Sequence, residues 1–173
     1  MISFELPQQL IAQTPAVPRD SARLLVYDRS TKKITDAVFR DLPQYLHPDT
    51  TLALNNSKVE ECRYLFDEGK TELFILQKTD THTVRAMVRP GRKFALGKSV
   101  QLTDWLSAQV EAIDSDGFRT LRLSVPHDDQ RLHAYEHIPL PPYIAQNDAL
   151  KEEYQTVYAK PLGSNAAPTA GLH

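Results

Sequence analysis

The sequence predicts a β-rich α+β protein. A discontinuous outer part, residues 1–61 with 139–173, carries a β-rich insert at 62–138. Three observations lead to this reading. Six short strand-like runs follow one another between Arg63 and Val125 at roughly ten-residue spacing, each closed by a turn signal. The flanks are broken by proline instead: Pro7, Pro15 and Pro18 at one end, and Pro139, Pro141, Pro142, Pro161 and Pro168 at the other. The 173 residues are 41% hydrophobic and 24% charged, values of a globular chain rather than a disordered, collagenous or coiled-coil one.

In chain order, 10–12 is the only apolar piece before Arg19-Asp20. Residues 24–27 read as a buried strand, 28–32 as a turn and 34–39 as the returning strand of a hairpin. Asp41 with Pro43 two residues later marks the start of a helix, kept short by Pro48. A strand at 51–54 runs into the polar loop Asn55-Asn56-Ser57-Lys58. The insert offers strands at 63–66, 71–77, 83–89, 99–102, 108–113 and 118–125. Ser115-Asp116-Gly117 gives a hairpin turn, and the whole fits a small antiparallel barrel or sandwich. Residues 128–137 fit a helix with Leu132 and Tyr135 on one side. Residues 149–159 fit another, carrying Tyr154 and Tyr158 one turn apart. The outer part has too few elements to close a core alone, which points to an incomplete chain or to a partner.

Twenty basic against twenty-two acidic residues give a net charge of −2. That excludes a uniformly basic nucleic-acid binder and leaves room for a local basic patch. Cys62 is the only cysteine, so no intrachain disulfide forms and a thiolate zinc site lacks ligands. The start, Met1-Ile2-Ser3-Phe4-Glu5-Leu6-Pro7, lacks the basic residues and apolar run of a signal peptide, and no run approaches the ~20 apolar residues of a membrane span. The expectation is a cytoplasmic protein with no membrane association.

No P-loop, G-x-G-x-x-G, zinc-protease or G-x-S-x-G motif is present. His133 and His137, four apart, fit either a solvated helix face or, less well, two of the ligands of a metal. Arg85, Arg89, Arg92, Lys93 and Lys98 fit either a phosphate-holding cluster or an ordinary charged rim. The rigid run Pro139-Leu140-Pro141-Pro142-Tyr143-Ile144 fits a crossover between domains, or a platform on which Tyr143 stacks a base. In 165–173, small side chains let a ligand approach the backbone, Gly171 is permissive, Thr169 brings a hydroxyl and His173 a base that works near neutral pH. A frayed tail fits the same residues.

Several segments together resemble the S-adenosylmethionine:tRNA ribosyltransferase-isomerase family of queuosine biosynthesis. They are Leu6-Pro7 with Leu10-Ile11-Ala12-Gln13, Arg19-Asp20 with Arg23-Leu24-Leu25-Val26, Pro90-Gly91-Arg92-Lys93, 139–144, Tyr154-Gln155-Thr156-Val157-Tyr158-Ala159-Lys160, and 166–173. The last three are the most specific. The resemblance implies an α/β domain interrupted by an inserted antiparallel β-barrel. It also implies a shortened chain, because the family continues past Ala-Gly-Leu-His into a second half that completes the α/β domain. These 173 residues are not expected to be active alone. Where the family carries Asn-Asp-Thr-Arg-Val, this chain has Asn55-Asn56-Ser57-Lys58-Val59; Glu153 stands where an arginine is usual, and Asn165 replaces a small apolar residue. Lysine lacks the bidentate fork of arginine, and glutamate inverts its charge.

The implied reaction moves the ribosyl part of S-adenosylmethionine onto the aminomethyl group of a deazaguanine in tRNA. It isomerises the ribose to give epoxyqueuosine and releases adenine and methionine. S-adenosylmethionine is then a substrate, and no metal or redox cofactor is implied. His173 would be the general base or acid. Thr169 and the backbone at Gly171 would line the donor site, Tyr143 and Tyr158 would stack, and Gln155 would read a base edge. Arg19 and Asp20 would orient the site or pair with each other, and Arg89, Arg92 and Lys93 would hold tRNA phosphates. The partners are the tRNA and S-adenosylmethionine. The full-length family is expected to be monomeric, with oligomers open to a shortened chain. A non-catalytic tRNA-binding fragment and a diverged paralogue acting on another nucleoside are the alternative readings.

Overall fold

The structure, a computed structural model, describes residues 4–173, so the part of the N-terminal reading that falls on Met1-Ile2-Ser3 lies outside it. The chain divides into two compact units: residues up to Val59 together with Leu140–His173, and Glu60–Pro139.

The unit Glu60–Pro139 is a seven-stranded antiparallel sheet. Its strands are β4 (Arg63–Phe66), β5 (Thr71–Lys78), β6 (Thr83–Arg89), β7 (Ser99–Gln101), β8 (Ser107–Ile113), β9 (Arg119–Leu123) and β10 (Glu136–His137), in the order β10-β4-β5-β6-β9-β8-β7. Alternation explains it. Leu73 and Ile75 of β5, Val84 and Ala86 of β6, Ala108 and Val110 of β8, and Leu121 and Leu123 of β9 all fall on one face and meet in a single core with Phe66, Phe94 and Leu132. Each fully buried Val, Leu, Ile or Phe side chain among these contributes about 1.5–3 kcal/mol, and the alanines less. The sheet curls around that core. Its edges are β7 and β10, and no ladder joins them among the described residues. At the β8–β9 turn Gly117 takes φ 84°, while the Asp114 carboxylate accepts the amides of Asp116 and Phe118.

The other unit holds the antiparallel hairpin of β1 (Arg23–Asp28) and β2 (Lys33–Val38), and a parallel pair of β3 (Lys58–Val59) with β11 (Leu162–Ser164). The hairpin follows the sequence reading, with Asp28 accepting the amides of Ser30 and Thr31 to close the turn. The strand expected at 51–54 is not in any ladder, and Leu52 and Leu54 are exposed. A strand needs a neighbour to satisfy its amides, and this unit offers none there.

The strand-rich part of the expected fold class holds, but the expected α-helices are absent among the described residues. Helix is confined to short 3-10 turns, including Phe39–Tyr45, Gln130–Ala134 and Asp148–Leu150. Pro43 lacks an amide and limits the first. In 128–137, Asp129 caps the turn by accepting the Arg131 amide. The chain then leaves to pair Glu136 and His137 with Tyr64 and Arg63 on β4, so sheet pairing overrides helix propensity. In 149–159 only one helical turn forms, with the Tyr154 amide on the Leu150 carbonyl; beyond it the Gln155 side chain is committed to the backbone of Val59. No helix among the described residues is long and apolar enough to cross a membrane.

Candidate active site

In the unit that contains both chain ends, an open cleft of about 790 Å³ lies among residues from five segments. That volume suits a small organic ligand. Arg19 and Asp20 come from the 3-10 turn Arg19–Ser21, Phe39 and Leu42 from the next, Leu52 to Asn55 from the unpaired extended run, and Val157 and Tyr158 from the segment before β11. The closing wall is 168–173, where a 3-10 turn over Thr169–Gly171 is held by the Gly171 amide on the Pro168 carbonyl at 2.7 Å.

Arg19 organises this wall. Its guanidinium donates to the carbonyls of Gln155 at 2.6 Å, Glu152 at 2.8 Å and Leu172 at 3.2 Å. One fixed fork thereby ties the 152–155 turn to the residue before His173. Arg19 does not pair with Asp20, whose carboxylate instead lies 3.8 Å from Arg40 in an exposed and therefore weak contact. Gly171 is needed for fit: a Cβ there would lie 2.8 Å from the Tyr158 hydroxyl oxygen and 3.1 Å from Thr156 Cγ2. The Thr169 hydroxyl is exposed with a long 3.5 Å bond to the Ala167 carbonyl. The imidazole of His173 is exposed in the cleft.

Of the residues singled out in the sequence, Arg19, Asp20, Tyr158, Thr169, Gly171 and His173 line the cleft, whereas Tyr143 and Gln155 do not. Gln155 is buried, and its amide both donates to the Val59 carbonyl and accepts the Val59 amide, each at 2.9 Å. Its hydrogen-bonding capacity on that side is used to hold β3. Tyr143 is 54% exposed, and its segment is fastened by Gln13, which donates to the Tyr143 carbonyl and accepts the Ala145 amide. Phe39, Leu42, Leu52 and Asn55 were not singled out for the site. Apolar residues carry no chemical signature, and only the position of Asn55 at the end of an apolar run marks it.

The basic residues lie on the other unit. Arg89 reaches Glu72 at 3.0 Å, and Glu72 also takes Arg63 at 2.7 Å. Lys93 bonds Thr71 at 3.0 Å and Asp67 at 3.3 Å, and Arg92 is exposed with no partner among the described residues. Arg89 and Lys93 are thus each paired with a carboxylate, while Arg92 lies in the 3-10 turn Gly91–Lys93. Arg85 is spent on Asp114 and on the face of Phe118. His133 and His137 do not share a helix face: His133 meets Glu136 at 2.7 Å in the turn, and His137 is on β10. No group of three His, Cys, Asp or Glu among the described residues is placed to hold a metal ion. Cys62 is buried, and burial pushes its thiol up to about 11, which removes it as a nucleophile near neutral pH.

The model of the family described as "Queuosine biosynthesis protein" matches residues 1–173. An S-adenosylmethionine:tRNA ribosyltransferase-isomerase of Thermotoga petrophila is 42% identical over 98% of this chain and 51% of its own length. That of Clostridioides difficile is 40% identical over 98% of this chain and 52% of its own length. The chain thus spans about half the length of the curated relatives it matches. A crystal structure of S-adenosylmethionine tRNA ribosyltransferase from Thermotoga maritima aligns with 36% identity over 69% of this chain and 43% of that one, with a TM-score of 0.34. On the match over its whole length, this chain belongs to the queuosine biosynthesis protein family.

Proposed function

We propose that this chain supplies one half of the active unit of an S-adenosylmethionine:tRNA ribosyltransferase-isomerase. The observation that carries the reading is that Arg19, Asp20, Tyr158, Thr169, Gly171 and His173 line one cleft in a chain of this family. The donor is S-adenosylmethionine and the acceptor is the aminomethyl-deazaguanine base of tRNA; the products are epoxyqueuosine-tRNA, adenine and methionine. In this reading the sulfonium acidifies the adjacent ribose carbon, and His173 takes a proton from it. Arg19 holds the His173 segment at the Leu172 carbonyl. Gly171 and Thr169 let the donor lie against the backbone, and Tyr158 forms an aromatic wall. Tyr143 stacks the acceptor base, and the cluster of Arg89, Arg92 and Lys93 holds phosphates. Gln155 acts by fixing Val59 rather than by reading a base. A tRNA-modifying role places the protein in the cytoplasm.

The same reading makes the unit with both chain ends, 1–61 with 139–173 in the sequence-based boundaries, an incomplete α/β domain, and makes 62–138 its inserted small antiparallel barrel. The exposed Leu52, Leu54 and Val157 on the cleft support the first, because a ligand site of this kind excludes water. The one core shared by β4 to β9 supports the second.

One observation favours a diverged paralogue as the second reading. Oε2 of Glu153, at a position where the family usually has arginine, is buried with no hydrogen-bond partner among the described residues. The test is adenine release from S-adenosylmethionine, with tRNA bearing the aminomethyl-deazaguanine, by this chain mixed with the complementary half of a relative. The expected outcome is release that requires the tRNA and is abolished by His173→Ala with the circular dichroism unchanged. Release that survives His173→Ala removes His173 from the mechanism. No release from a folded mixture favours the paralogue.

A further inference from the structure

We infer that Phe39 is a positioning residue for His173, setting the plane of its imidazole within the cleft. The inference rests on the reading above only for the chemical purpose of that imidazole; the contact itself stands apart from it. The ring centroids of Phe39 and His173 are 5.4 Å apart and their planes are inclined by 52°, the tilted arrangement that aromatic pairs favour. No hydrogen bond or ion pair to the His173 side chain is formed among the described residues. A catalytic imidazole is ordinarily oriented by a carboxylate or carbonyl on one nitrogen. Here the packing contact that the imidazole makes among the described residues is with an apolar ring, which fixes a ring plane without occupying either nitrogen.

The placement of Phe39 is built in. Its amide donates to the Ala22 carbonyl at 2.8 Å, which joins it to the end of the turn that carries Arg19. Arg19 in turn holds the Leu172 carbonyl. The last residues are therefore gripped twice from one substructure, the backbone through Arg19 and the imidazole through Phe39. Both grips come from residues that need no contact with the reacting atoms.

The experiment is proton NMR of the whole chain, with the His173 ring resonances assigned by loss in His173→Ala. In the unchanged protein, cross-relaxation between the Phe39 and His173 ring protons is expected, with the His173 protons displaced by the Phe39 ring current. Phe39→Leu keeps an apolar side chain and should lose the displacement, whereas Phe39→Tyr keeps a ring and should retain it. Absence of cross-relaxation in the unchanged protein overturns the inference even if Phe39→Leu does not fold. Unaltered His173 shifts in a folded Phe39→Leu also overturn it. With the complementary half added, Phe39→Leu should lower kcat for adenine release by about tenfold with little change in KM for S-adenosylmethionine. A rise in KM alone makes Phe39 a binding wall and overturns positioning. If no variant turns over, the ribosyl-transfer reading fails while the ring-current result still decides the contact.

Discussion

Gly171 shows how tightly the cleft wall is specified at the level of single atoms. It has no left-handed backbone to protect; what it protects is space, because a methyl group there would fall 2.8 Å from the Tyr158 oxygen and 3.1 Å from the buried Thr156. Gly171→Ala should therefore cost about 1–3 kcal/mol, the usual range for overpacking. Adding Tyr158→Phe should recover part of it by removing the nearer atom. Thermal melts of the single and double variants check this, and a double variant no more stable than the single one places the strain on Thr156 instead. Three residues of this wall were legible in the sequence as a cleft lining, since Thr169, Gly171 and His173 sit together in a short run of small side chains, although a frayed tail fitted the same run. Phe39, Leu42 and Leu52 were not, because an apolar residue is far more often core than site and nothing local distinguishes the two.

At the level of elements, strands were easier to read than helices, and for a physical reason. β5, β6, β8 and β9 carry period-two alternation and glycine or aspartate turns, both local signals. Whether 128–137 stays helical depends on β4, whose free edge lies far away in sequence and claims Glu136 and His137. The same segment gives the clearest pH response. A hydrogen bond to Glu136, followed by its charge, raises the pKa of His133 above the ordinary 6.5. That contribution is complete below the unfolded value and is lost as pH rises through the raised folded value. Asp129 is the opposite case: hydrogen bonds from the Arg131 side chain and amide, then the Arg131 charge, hold its carboxyl down to about 2. Its contribution is complete above the ordinary carboxylate range and is lost as pH falls toward 2. The 129–137 segment is thus expected to hold best in mildly acidic solution and to loosen on both sides. Hydrogen exchange of the Tyr135 and Leu65 amides as a function of pH measures it, and Glu136→Gln should flatten the alkaline side only. A flat profile in the unchanged protein would remove the His133–Glu136 contact from the account.

Across the whole molecule, apolar surface is distributed unevenly between the two units. The unit Glu60–Pro139 hides its large apolar side chains in one core and exposes few, among them Met87 and Leu96. The unit with the chain ends exposes Leu25, Tyr27 and Ile34 on one face of the β1–β2 hairpin, and Leu52, Leu54 and Leu162 elsewhere. The hairpin register places Tyr27 opposite Ile34, with Leu25 two residues along the same face, so these three form a contiguous strip rather than scattered exposures. A contiguous apolar strip is a candidate contact surface, and the relatives carry about as much chain again as is present here. Replacing Leu25 and Ile34 together by threonine keeps strand propensity while removing the strip. The isolated chain should then bind less of an apolar dye and associate less, with the melting of the unit Glu60–Pro139 unchanged. On the proposed ribosyl-transfer reading, adenine release by the chain mixed with the complementary half of a relative should occur with the unaltered chain and fail with this variant. Dye binding that does not fall would show that the strip is not the exposed apolar surface that matters. Release undiminished by the variant would show that the added half engages this unit through another face, leaving the cleft-lining Leu52 and Leu54 as the next pair to replace.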